Sequence, residues 1–169
     1  MFDIDISEIL TRKGSSISFN VSDNVDVDNY KPEINKFLSP VKVEGTITNN
    51  EGNFKLTAKL DAKVSLSCHR CLKPVEYDIS LDIDEVYTNN AGNDEEAETF
   101  VGNTIELSSI VRKSIIFSLP MKVVCSEGCK GLCPVCGKDL NDGPCSCDTS
   151  YINPKFESLR SLFKVDEEV

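Results

Sequence analysis

The chain has 169 residues, enough for one ordinary domain or for a domain with a small appendage. Its 40% hydrophobic and 27% charged content is that of a globular protein and excludes a disordered one. A net charge of −10 argues against generic nucleic-acid binding, because contacts to phosphates need Lys and Arg in excess.

The N-terminal stretch "MFDIDISEILTRKG" is acidic and lacks the basic start and apolar run of a signal peptide. The longest uncharged runs, "GSSISFNVS" and "SIIFSLPM", are too short to span a bilayer. A cytoplasmic protein without a membrane partner is expected. In that compartment thiols stay reduced, so cysteines argue for metal rather than disulfides. "ISFNVS", with Ile17, Phe19 and Val21 in alternation, predicts a strand, and "PEINKFL", opened by Pro32, a helical turn. "VKVEGTIT" (Val41, Val43, Ile47) predicts a second strand, followed by turn chemistry in "NNEGN". In "FKLTAKLDAKVSLS" the apolar residues Phe54, Leu56, Ala58, Leu60, Ala62, Val64 and Leu66 alternate strictly, which predicts a long strand with one buried face. After "CHRCLKP" the alternation resumes at Val75, Tyr77, Ile79, Leu81 and Ile83. The last three strands form a meander with a CxxC at the tip of its second hairpin.

Residues 78–98 contain eight acids and no base, which reads either as a solvated face or as a docking surface for a basic partner. Within it, "NNAGNDEEAE" reads as a mobile acidic loop. "TIELSSIVRKSIIFSLP" places Leu107, Ile110, Val111 and Ser114 at helical spacing, with Thr104 as half of a capping box and Pro120 as the stop. After the cysteine cluster, "PKFESLRSLFKV" predicts an amphipathic helix with Pro154 at its start and Phe156, Leu159, Leu162 and Phe163 on one face. The fold class expected is α+β: an antiparallel β-sheet meander with two packed helices and a cysteine-rich, zinc-binding C-terminal module. The expected division is a β-rich core domain over residues 1–124, a zinc-binding module over 125–150, and a C-terminal helix over 151–169 that packs back on the core.

Six of the eight cysteines fall in "CSEGCKGLCPVCGKDLNDGPCSC", and the other two, Cys68 and Cys71, lie in "SCHRCL". Four thiolates close a tetrahedron around zinc at metal–sulfur distances of about 2.3 Å. Two residues between ligands let one tight turn aim both sulfurs at one metal, and Gly137 after Cys136 can take the positive φ that such a turn uses. Leu72 stands at the matching place after Cys71, so the first CxxC fits in spacing but not in the glycine. Cys133, Cys136, Cys145 and Cys147 form a local set, C-x2-C-x8-C-x-C. That leaves Cys68 and Cys71 to join Cys125 and Cys129. The rival partition pairs the two CxxC turns, Cys68/Cys71 with Cys133/Cys136, as in a zinc ribbon.

Other thiol chemistries fit less well. The C-x3-C-x2-C spacing from Cys129 to Cys136 matches a radical S-adenosylmethionine motif, but the barrel those enzymes need has no room after it. Spacing alone leaves an ordinary iron–sulfur cluster open. A dithiol redox centre expects a CxxC at a helix N-terminus, which neither motif has. His69, the single histidine, reads as a solvent-facing turn residue. The paired acids Asp82 and Asp84 share a strand face with nothing converging on them. No catalytic constellation is present, so a non-enzyme without a small-molecule substrate is expected.

"LSCHRCLKPVEYDISLDIDEVY", "LSSIVRKSIIFSLPMKVVCSEGCKGLCPVCGKDLN" and "PKFESLRSLF" resemble, in order, the YceD family of bacterial and plastid proteins. The resemblance runs from about residue 40 to 164, and "GLCPVCGKDLN" is its most specific segment. It implies a role in accumulation of the large-subunit ribosomal RNA, and its genes often neighbour that of a small basic ribosomal protein. Some members keep the first CxxC and lack the second cluster, which supports two independent sites. Combined with the acidic charge, the resemblance implies a basic ribosomal protein or assembly factor as partner. Direct contact with ribosomal RNA through the basic stretch 112–138 is the alternative.

Overall fold

The computed structural model describes residues 2–89 and 97–148. The strictly alternating segment is the spine of the molecule: β5 (Asn53–Ser67) is fifteen residues, about 50 Å, long. All seven of its alternating apolar residues, Phe54 to Leu66, are buried. It is flanked by β4 (Val41–Asn50) and by the equally long β6 (Pro74–Thr88), both antiparallel to it. Outside β4 lies β2 (Ser16–Asp23), so the expected four strands and their meander are present. The β4–β5 turn closes tightly at Glu51 and Gly52, both at positive φ, as "NNEGN" predicts.

Gly45 stands opposite Ala58 at a close approach of β4 to β5. A Cβ there would lie 2.3 Å from the Thr57 carbonyl oxygen and 2.5 Å from Ala58 Cα, a place where only glycine fits. Further along β5, where β4 has ended, β3 (Lys36–Phe37) takes over the same edge opposite Ser65 and Val64. In "PEINKFL" the expected helical turn is confined to the start, where Ile34 N–H donates to the Tyr30 carbonyl (3.1 Å), and Lys36–Phe37 runs as strand. Just upstream lies a 3₁₀ segment at Val27–Tyr30, capped by the Asp26 carboxylate on the Asp28 amide. Extended pairing to β5 and the T-shaped contact of Tyr30 with Phe37 outweigh local helix preference here.

Among the described residues, the inner face of the sheet is covered by the N-terminal segment and by the segment from Thr104 to Ser118. β1 (Asp3–Asp5) pairs antiparallel with β8 (Thr104–Glu106), and Phe2, Ile4, Ile6 and Ile9 enter the core beside it. Four residues of helix, α1 (Ser7–Leu10), follow β1. Buried Asn49 holds this helix to the β4–β5 hairpin: its Nδ2 donates to the carbonyls of Ile9 (2.7 Å) and Leu10 (3.2 Å), and its Oδ1 accepts from Gly52 (3.0 Å). The expected helix after the acidic segment is α2 (Ser108–Ser118), with Leu107, Ile110, Val111 and Ile115 buried. It begins later than the half capping box suggested, because Thr104 belongs to β8 and pairs with Asp5. β7 (Glu98–Thr99) adds a short parallel partner to the end of β6.

The outer face of the sheet is polar. Lys63 pairs with Glu76 at 2.7 Å and Lys55 with Asp84 at 3.8 Å, so part of the acidic run is matched by lysines of β5. Residues 90–96 of the acidic loop and the expected C-terminal helix, with Phe156, Leu159, Leu162 and Phe163, lie outside the described residues.

Candidate metal centres

The β5–β6 hairpin carries Cys68 and Cys71 at its tip, Cys68 directly after the end of β5 and Cys71 three residues before β6. The tip folds as a compact loop in which Cys68 N–H donates to the Lys73 carbonyl (2.9 Å) and Leu72 N–H to the Cys68 carbonyl (2.9 Å). The loop at Cys133 repeats this pattern: its N–H donates to Lys138 (2.8 Å), and Gly137 N–H donates back to Cys133 (2.9 Å). Gly137 has φ 73° and Leu72 has φ 61°. The two CxxC turns are therefore twins, and a leucine occupies the left-handed position that the glycine fills in the other.

The eight sulfurs gather into two groups. Cys68, Cys71, Cys125 and Cys129 form one, Cys133, Cys136, Cys145 and Cys147 the other, and within each group all sulfurs lie within 4.8 Å of one another. The ribbon partition, Cys68/Cys71 with Cys133/Cys136, is not the one the chain adopts. In the first group Cys71 and Cys125 are 3.6 Å apart and Cys68 and Cys129 3.9 Å. A regular tetrahedron with arms of about 2.3 Å has edges of about 3.8 Å, so the group fits a four-sulfur metal site. Each group could hold a metal ion. The first is the more enclosed, with Cys68, Cys71 and Cys129 buried against Val75, Val124 and Leu132.

Amides aimed at the sulfurs favour thiolates. Cys68 Sγ accepts from the backbone N–H of Arg70 (3.5 Å) and of Cys125 (3.4 Å), and Cys129 Sγ accepts from Asn141 Nδ2 (3.6 Å). Burial opposes ionisation of Cys68 and is the largest single effect, yet the amides of Cys71, Arg70 and Cys125 together bring it down to about 6. In the second group the amides of Cys136 and Val135 bring Cys133 down to about 6. Their neighbours move the other way. The Lys73 amide favours the Cys71 thiolate, but burial and the three surrounding sulfurs push it up to about 12. The hydrogen bond with Cys136, followed by burial, pushes Cys147 up to about 12. Four thiols so close resist collective ionisation, and a divalent cation at the centre removes that repulsion.

Several residues that tie the centres together were not singled out by sequence. Arg70 donates through Nη1 to the carbonyls of Cys129 (2.8 Å) and Glu127 (3.3 Å), while its own carbonyl accepts from Leu132 (3.0 Å). Lys73 joins Asp139 at 2.7 Å and Asp142 at 3.5 Å, bridging the hairpin tip to the second group. Asn141 accepts the Lys130 amide (2.8 Å) as it reaches Cys129. The signal for these was the polar connection "GKDLNDGP" itself, where an Asp and an Asn two apart suit a side chain-to-backbone turn. His69 is exposed, and its Nδ1 accepts from Val123 N–H at 2.9 Å, which positions the chain entering Cys125. Asp84 lies on the outer sheet face, accepting from Thr57 at 3.0 Å.

A family model described as Large ribosomal RNA subunit accumulation protein YceD matches residues 56–163. That span takes in most of β5, all of β6 and α2, and all eight cysteines. Uncharacterized protein YlbN of Bacillus subtilis is 28% identical over 137 residues, covering 78% of each chain. The chloroplastic Large ribosomal RNA subunit accumulation protein YCED homolog 1 of Zea mays is 22% identical over 160 residues, covering 75% of this chain and 54% of its own length. No solved structure matches at a significant level.

Proposed function

The chain belongs to the YceD family, and on that premise we propose that it is a non-enzymatic, zinc-binding factor in large ribosomal subunit biogenesis that acts through protein partners. The family match carries the ribosomal role. The sulfur geometry supports the metal: Cys68, Cys71, Cys125 and Cys129 hold one zinc, and Cys133, Cys136, Cys145 and Cys147 a second. Both centres are closed four-sulfur sites, which leave no position for a reacting water, so their role is structural. The segment 125–148 has only one isolated bridge, Leu132 to Asp139, among its described residues and buries few apolar side chains. It is built to be held by metal, which binds such sites with about 10–16 kcal/mol near neutral pH.

A basic ribosomal protein or assembly factor is the favoured partner in the cytoplasm. No helix among the described residues is long and apolar enough to cross a membrane. Direct RNA binding by the cysteine module is less well supported. Arg70 and Lys138 each donate to backbone carbonyls, Lys73 pairs with Asp139 and Asp142, and Lys113 with Glu98 at 2.6 Å. The test is affinity capture of the full chain from cells under native conditions. Recovery of large-subunit particles or their proteins is expected, together with reduced large-subunit ribosomal RNA when the gene is deleted. Capture of free RNA alone, with binding lost steeply as salt rises, contradicts the protein-partner reading.

A further inference from the structure

The two long central strands differ in how they are covered. Every core-facing residue of β5 is buried, whereas Val75, Tyr77 and Leu81 on the same face of β6 are only half-buried. Among the described residues, β6 pairs on its outer edge with β7 alone, at Tyr87 and Thr88. From Glu76 to Val86 every second residue therefore turns its N–H and C=O away from β5, a template for one more strand. Beside this edge runs a groove of about 400 Å³ between β6 and α2, lined by Leu81, Asp82, Glu85, Ile110, Lys113 and Phe117. Phe117 is 85% exposed at its rim, an aromatic ring left in water by the last turn of α2.

Charge selects the strand that fits. On its outer face β6 carries Glu76, Asp78, Asp82 and Asp84 and no basic residue, while Glu85 stands on the core face opposite Leu56. A second copy of the same strand would set acids against acids, which disfavours self-pairing. A strand alternating basic and apolar residues would meet the acids on the outer face and the groove on the inner one. We propose that the outer edge of β6 receives an extended, basic segment of a protein partner by strand addition, its apolar side chains resting over Leu81 and Phe117. The partner's basic character rests on the proposed ribosomal role; the open edge does not. Backbone pairing supplies affinity, and the groove and acids supply register and selectivity.

The test uses the full, metal-loaded chain, isotopically labelled, with two peptides of equal charge: one alternating Lys and Val, one of Lys and Ala that favours helix. Amide exchange is read residue by residue. The alternating peptide is expected to slow exchange by about tenfold or more at the outward-facing amides, every second residue from Glu76 to Val86, and the helical peptide is not. The Asp78→Lys, Asp82→Lys variant, with unchanged exchange in β4 and β5 as its fold control, is expected to bind the alternating peptide at least about tenfold more weakly. Three results overturn the inference: equal effects of both peptides, protection of the edge already present in the free chain (its own terminal segment or a second copy), or protection by an RNA oligonucleotide instead. Association with large-subunit particles is scored separately. If the variant still associates as the parent does, the edge is not the docking site while the ribosomal role stands. If the parent fails to associate, the role falls whatever the peptides do.

Discussion

Leu72 and Gly137 occupy the same place in two turns that share their hydrogen bonds, and only one of them is suited to its backbone. A side chain at positive φ costs about 1–2 kcal/mol, and Leu72 recovers little by burial because it is 65% exposed. Leu72→Gly is expected to stabilise the protein by about 0.5–1 kcal/mol, after allowing for the extra freedom of glycine in the unfolded chain. Denaturant melts of the metal-loaded protein measure it; a loss of stability would mean that Leu72 packs in a way its exposure does not indicate. Asn49 is the converse case, a polar residue 2% exposed and fully employed. Asn49→Ala removes three hydrogen bonds at a buried site, those to Ile9, Leu10 and Gly52, so a loss of about 2 kcal/mol is expected in the same melts. Neither residue was legible beforehand. Spacing marked Leu72 as an odd fit without revealing that the backbone keeps the glycine conformation, and Asn49 read as one turn residue among several.

Among the elements, long strands were plain in the sequence and short ones were not. Alternation over thirteen residues leaves one period only, and β5 and β6 follow it through to the hairpin tip. β1, β3 and β8 are two or three residues each and exist through pairings with distant chain, which local pattern cannot show. That is why "PEINKFL" read as helical and why α2 was started too early. Gly45 gives a prediction at this scale. Strand propensity alone says that Gly45→Val should stabilise β4. The contacts with Thr57 and Ala58 say the opposite, and a loss of about 2–3 kcal/mol is expected from forcing the two strands apart. The sign of the change in thermal or denaturant unfolding decides between them.

Across the whole molecule, the two sulfur groups stand in series from the sheet outward. The first pins the chain after α2 to the hairpin tip, and the second is joined to that tip by Arg70 and Lys73 through the segment 129–142. This partition was one of two that spacing left open, and it was legible so far as Cys133, Cys136, Cys145 and Cys147 read as a local set that leaves Cys125 and Cys129 for the hairpin cysteines. The bridging residues were not: the Asp and Asn two apart in "GKDLNDGP" mark a turn, and nothing in the sequence points from Arg70 or Lys73 at the hairpin tip to that turn. The order of attachment makes the centres unequal. Cys145→Ser with Cys147→Ser is expected to remove the outer metal alone, leaving amide protection in β4, β5 and β6 unchanged. Loss of both metals together would show that the centres form one cooperative unit.

The central claim is that eight cysteines make two metal centres. It is tested most directly by native mass spectrometry with elemental analysis of the full chain purified without chelator. Two zinc ions per chain are predicted, falling to one in the Cys145→Ser, Cys147→Ser variant. One zinc or none in the parent chain, or iron with inorganic sulfide in place of zinc, would contradict it.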